Sequence, residues 1–128
     1  MSDVRKQPCS ACPYRKDVPS GVWEHHEYEK LREYDAITPD QPFAYFACHA
    51  TPESLCHGWA VVHTSRGNEY DLLALRIIGY PDIPKPTVEL FASGNEAADH
   101  GQEEIETPST EALETVERLV RKYPRLQS

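Results

Sequence analysis

No stretch of this 128-residue chain approaches the roughly 20 consecutive apolar residues that a membrane span requires. Its opening, MSDVRKQPCSACPYRKD, also lacks the apolar run of an export signal. The expectation is a cytoplasmic protein with no membrane partner. Positive charge is scarce as well. A net charge of −8 repels phosphate backbones at long range, so nucleic acid would need a segregated basic face. Arg5, Lys6, Arg15 and Lys16 are one candidate face, and Arg118, Arg121, Lys122 and Arg125 another. Neither is interleaved with stacking aromatics. Nucleic acid is thus disfavoured, and another protein is the expected partner. Strand patterns, internal repeats and low-complexity tracts are nearly or wholly missing. So are a nucleophile and base pair, a phosphate-binding glycine loop and a paired-carboxylate site, which leans the reading away from an enzyme.

Against those absences, the apolar fraction of 39% suits a folded globule, while 11 prolines point to long loops and a modest core. The length fits a single domain over 1–128, with 1–64 carrying the chemistry and 65–128 a helical remainder. Periodicity predicts four to five helices. The first runs from about Val22 to Tyr34, with Ser20 as its cap and Tyr28, Leu31 and Tyr34 on one face. Thr51-Pro52-Glu53 reads as the start of a second, carrying Leu55, Trp59 and Val62 inward. Tyr70, Leu73, Ala74, Ile77 and Ile78 repeat in a third that Gly79 and Pro81 stop. Ser93 and Glu96 have capping-box form before a short helix that Gly101 can end. The last opens at Thr107-Pro108 or Ser109 and buries Leu113, Val116, Leu119, Val120 and Tyr123, with Glu114–Arg118 and Glu117–Arg121 as pairs outside. Residues 79–86 form a stiff connector, and 42–48 fits one short strand or an extended segment. The fold class is mainly α with long loops and room for one short strand pair, clamped by a four-cysteine metal site.

That clamp rests on Cys9, Cys12, Cys48 and Cys56. Cytosolic thiol buffers keep ordinary cysteine pairs reduced, so cysteines in such a chain are better read as thiolate ligands than as disulfides. Cys9-x2-Cys12 lets one tight loop present two thiolates to the same ion. The spacing from Cys48 to Cys56 is longer than in zinc knuckles, because it contains the Thr51-Pro52 turn. Ordinary buried cysteines would not explain why all four fall in the first 56 residues. A redox pair would sit where a strand feeds a helix, whereas Pro8 and Pro13 bracket a loop.

Zn2+ is favoured by its prevalence at four-thiolate sites. The nearby Tyr14, Trp23, Phe43, Tyr45, Phe46 and Trp59 could shield a cluster from water, so a four-iron four-sulfur cluster is the alternative. His49 and His57 each follow a ligand directly. Adjacent residues seldom both reach one ion, so supporting or surface roles suit them better than replacement of a cysteine. Pro8-Cys9-x2-Cys12 with His25-His26-Glu27 imitates a zinc deaminase signature, but in reversed order. Tyr14, Arg15, Lys16 and Asp17 form a polar loop for recognition, unless Arg15 merely neutralises the sulfurs.

The run from Cys9 through CPYRKDVPSGVW to Trp23, followed by Phe46-Ala47-Cys48-His49, Cys56-His57-Gly58-Trp59-Ala60, Leu73-Ala74-Leu75-Arg76, Ser93-Gly94-Asn95-Glu96-Ala97 and His100-Gly101, resembles a domain family of unassigned function found in actinobacteria and their phages. The resemblance implies a small cysteine-motif protein whose four cysteines are those named above, and it supplies no catalytic residues. The expectation is a metal-clamped binding or regulatory module, with an iron-sulfur redox or electron-transfer protein as the competing reading. A metal-dependent enzyme using the cleft between the aromatic segment and the Trp59 helix is a third.

Overall fold

A computed structural model describes residues 3–42, 44–79 and 82–124; Phe43, Pro81 and Arg125, named above, lie outside the described residues. Among the described residues five α-helices follow one another: α1 (His25–Glu33), α2 (His57–Thr64), α3 (Leu73–Ile78), α4 (Gly94–Gln102) and α5 (Thr110–Lys122). Short 3-10 turns at Thr38–Asp40 and Asn68–Tyr70 lie between them. Among the described residues there is no strand, only isolated bridges from Leu55 to Val4 and to Ala47 and one from Arg15 to Leu90. The helical class is therefore the observed one, with the strand pair reduced to single bridges. No described helix is long and apolar enough to cross a membrane.

Helix starts moved where a capping signal had another use. Ser20 does not cap α1, which begins at Glu24 without a side-chain cap. Its hydroxyl instead donates to the Gly101 carbonyl (3.0 Å) and accepts from the Glu104 amide (2.8 Å), tying the loop before α1 to the end of α4. Thr51-Pro52 makes a turn, and α2 starts at Cys56, whose sulfur accepts from the Trp59 amide at 3.5 Å. The later caps fall where the local sequence puts them. Ser93 accepts from the Glu96 amide, Ser109 from the Ala112 amide, and Gly79 closes α3 at φ 88°, a left-handed conformation that glycine adopts without steric cost.

Helices α1 and α4 pack closely because α4 turns Gly94, Ala97, Ala98 and Gly101 inward, all buried. Gly101 lies within the helix rather than after it. A methyl there would overlap the buried Tyr28 ring, and one at Gly94 would meet the Leu31 carbonyl oxygen. Asp35, just beyond α1, joins three elements: its carboxylate pairs with Arg66 after α2 and accepts from the Asn95 amide in α4 at 3.0 Å. Arg66 in turn stacks 3.7 Å over Tyr70. Ala112 and Leu119 of α5 cover Ala11, Val18 and Val22 in a smaller apolar cluster. Two predicted core positions face out instead: Ile77 is 68% and Leu113 58% exposed. Leu72 and Leu75 take the buried side of α3 in place of Ile77.

Candidate metal centre

Two stacked turns build the first half of the site. The Cys12 amide donates to the Cys9 carbonyl and the Arg15 amide to the Cys12 carbonyl, both at 3.0 Å, which curls the loop around its sulfurs. Trp23 Nε1 fastens it by donating to the Ala11 carbonyl at 2.8 Å. The second half is a tight reversal. Cys48 donates to Ser54 (2.8 Å), Cys56 donates to Phe46 (2.9 Å), and the turn is closed by Ser54 donating to Thr51 (2.9 Å). Leu55, fully buried, then docks this reversal on the N-terminal segment: its amide donates to Asp3 and its carbonyl accepts from Arg5. The halves meet because one residue pairs with both.

All four cysteines are buried and free of disulfides. They form two near pairs, each joining the N-terminal loop to the later reversal. Cys12 Sγ lies 3.9 Å from Cys56 Sγ, and Cys9 is influenced by both Cys48 and Cys12. Among the described residues no group of three or more His, Cys, Asp or Glu side chains is arranged to hold a metal ion as it stands. The donor set nonetheless fits one chemically. Thiols from Cys12 and Cys48 donating to the Cys9 sulfur favour its thiolate and lower its pKa to about 2. Cys12 is pushed up by Cys56 and then by Cys9, and Cys48 by Cys9, because further negative charge would repel the first in a buried setting. A divalent cation is what would let all four ionise together.

Gly58 sits against this cluster because nothing larger fits. A methyl there would stand 3.1 Å from Cys12 Sγ and 2.8 Å from Tyr14 Cβ. Tyr14 itself is fully buried, which removes it from the recognition loop and makes it part of the core around the sulfurs. Arg15 keeps a bidentate pair with Asp17 (2.8 and 2.6 Å) while its Nη1 donates to the Cys9 carbonyl at 3.3 Å. Its positive charge is thus held beside the loop that carries Cys9. Lys16 pairs with Glu89 at 3.1 Å.

The two adjacent histidines have different surroundings, and His49 is near enough to help favour the Cys9 thiolate electrostatically. His57 Nε2 sits 2.8 Å from the Pro84 carbonyl, within the proline-rich connector. His49 packs 4.6 Å from the Trp23 ring, with its Nε2 3.6 Å from Glu27. Glu27 is held ionised, its pKa lowered to about 2 by His49 first and by Lys30 as well. Of the deaminase look-alike, His25 and His26 lie exposed on α1. The Glu27–His49 contact was not foreseeable, since no periodicity links a helix to a distant turn.

Two clefts border the site. The one between the aromatic segment and α2 is open, about 360 Å³, and lined by Tyr34, Pro42, Tyr45, Trp59 and Ala74 with hardly a polar group. A second, about 580 Å³, runs between α1, residues 45–49 and α5, and takes in Glu27, His49 and Cys48.

These features define a small, mainly helical protein folded around convergent cysteines. The chain belongs to the Family of unknown function (DUF6283), whose model matches residues 4–120. No curated protein and no solved structure matches it.

Proposed function

We propose that Cys9, Cys12, Cys48 and Cys56 together hold one structural Zn2+, and that the chain is a single metal-clamped domain serving as a cytoplasmic binding or regulatory module for another protein. The observation that carries this reading is the Cys12–Cys56 separation of 3.9 Å between residues 44 apart in sequence. Tetrahedral zinc with Zn–S bonds of about 2.3 Å spaces its sulfurs about 3.8 Å apart. Structural zinc contributes on the order of 10 kcal/mol to folding, which offsets a core with long loops around it. The apolar cleft beside Trp59 offers surface without chemistry, which favours binding over catalysis.

A four-iron four-sulfur cluster in a redox role is the second reading, favoured by the burial of every sulfur among Tyr14, Phe46 and Trp59. Elemental analysis and absorbance of protein purified without oxygen separate the two. One zinc per chain in a colourless protein supports the first, and brown protein carrying iron supports the second. Protein that holds neither and loses no thermal stability on prolonged chelation would overturn both. Cys12→Ser and Cys48→Ser should each abolish stoichiometric metal, and chelation of the unaltered chain gives the same information if the variants fail to fold.

A further inference from the structure

The larger cleft has a function to offer that owes nothing to a metal. Its volume, about 580 Å³, falls in the range of small-molecule sites, and its walls are of two kinds. Half-buried Trp23, Tyr34 and Tyr45 supply aromatic surface, and Val116 and Val120 of α5 close the opposite side. Into this mixed polar and apolar space α1 places the carboxylate of Glu27, whose side chain is only 18% exposed. Among the described residues, the groups within 4 Å of the Glu27 carboxylate in an ion-pair contact are cations or can become cations. Lys30 Nζ donates to it at 3.0 Å, His49 Nε2 lies at 3.6 Å and His26 Nε2 at 3.9 Å. Glu24 lines the same cleft, and the chain as a whole is negative.

We propose that this cleft binds a small organic cation of the arylalkyl ammonium class, its charge on Glu27 and its ring among Trp23, Tyr34 and Tyr45. Lys30 shows how the charge is met. Its ammonium, on a flexible stem and half exposed, already sits on the carboxylate, so a ligand ammonium takes that position while the lysine swings into water. The aromatic faces add attraction to a desolvated cation, and the overall negative field draws cations toward the cleft and repels anions. Cys48 reaches the cleft wall, but Glu27 is placed by α1, so the inference does not rest on the zinc reading.

Titration of the full chain with 2-phenylethylammonium, 2-phenylethanol and phenylacetate, followed by tryptophan fluorescence and amide chemical shifts, tests it. The ammonium should bind about tenfold more tightly than the neutral alcohol, with shifts centred on α1 and residues 45–49. Glu27→Gln should erase that preference, with its folding checked by circular dichroism. Lys30→Gln, on an exposed face, should strengthen binding by removing the internal competitor. Phenylacetate binding as well as the ammonium, weaker binding in Lys30→Gln, or no saturable binding of any of the three would overturn the proposal. Metal content is measured separately, so a metal-free protein that still binds the ammonium would sink the zinc reading alone.

Discussion

Replacing Gly101 by alanine should destabilise the protein even though alanine is the better helix former. The added methyl would stand 2.5 Å from Cζ of Tyr28, where carbon atoms ordinarily stay about 3.5 to 4.0 Å apart, so the ring must retreat by about 1 Å or more. It has nowhere to go. Tyr28 is 2% exposed, and its hydroxyl accepts from the Trp23 amide at 3.0 Å. Overpacking of this kind costs about 1–3 kcal/mol, the weakened hydrogen bond about 1 kcal/mol, and the helix gains back about 1 kcal/mol. The net is a loss of about 2 kcal/mol, or a fall of about 8 °C in thermal midpoint for a chain of this size. Thermal and urea denaturation of the variant measure it. The same substitution made in a Tyr28→Leu background should cost visibly less, because the obstructing ring is gone. A midpoint for Gly101→Ala equal to or above that of the unaltered chain would mean that α1 and α4 part freely, and that the small-residue face does not set their distance.

Asp35→Ala should cost about 3 kcal/mol in urea denaturation, since it strands Arg66 and leaves the Asn95 amide without its acceptor; a change under about 1 kcal/mol would show the junction to be ornamental. His63 is fully enclosed, and burial depresses its pKa below the ordinary histidine value. The unfolded chain therefore takes up a proton near pH 6.5 that the folded one refuses, so stability should fall as pH drops through that value. His63→Leu should flatten this limb between pH 7.5 and 5.5 in parallel thermal melts, and curves of identical slope would contradict it. Gly58→Ala should lower stability by pressing on Cys12 and Tyr14 together, and on the zinc reading it should lower metal content too; an unchanged thermal midpoint would show the sulfurs to be indifferent to their packing.

Legibility of the fold followed the range of the interactions concerned. The caps at Ser93 and Ser109 and the stop at Gly79 act on the next few residues, so the local sequence was enough to place α4, α5 and the end of α3. Ser20 and Gly101 carry the same local signals, yet each is recruited by the other across the molecule, and a cap and a terminator became a single tether. Thr51-Pro52 was read as a helix start because a turn and a first helical turn use the same residues; the pairing of Cys48 with Ser54 decided for the turn. Tyr14 lies in a polar run, so nothing nearby marks it as core until Gly58 is seen beneath it. The convergence of the cysteines was legible from their chemistry and spacing. Their assortment, Cys9 with Cys48 and Cys12 with Cys56, was not, because it depends on the docking of Leu55.

Leu55 also bears on how the chain reaches this state. During synthesis the motif at Cys9 and Cys12 leaves the ribosome well before Cys56, and until then only Trp23 and its neighbours can hold the loop. Bringing together residues 44 apart costs about 4 kcal/mol of chain entropy, which the docking of Leu55 and the burial of the sulfurs offset. A nascent chain ending before Leu55 should remain protease-sensitive around the Cys9 loop, and full resistance should wait for Leu90, α4 and α5, which pair with Arg15 and pack on α1 and the loop.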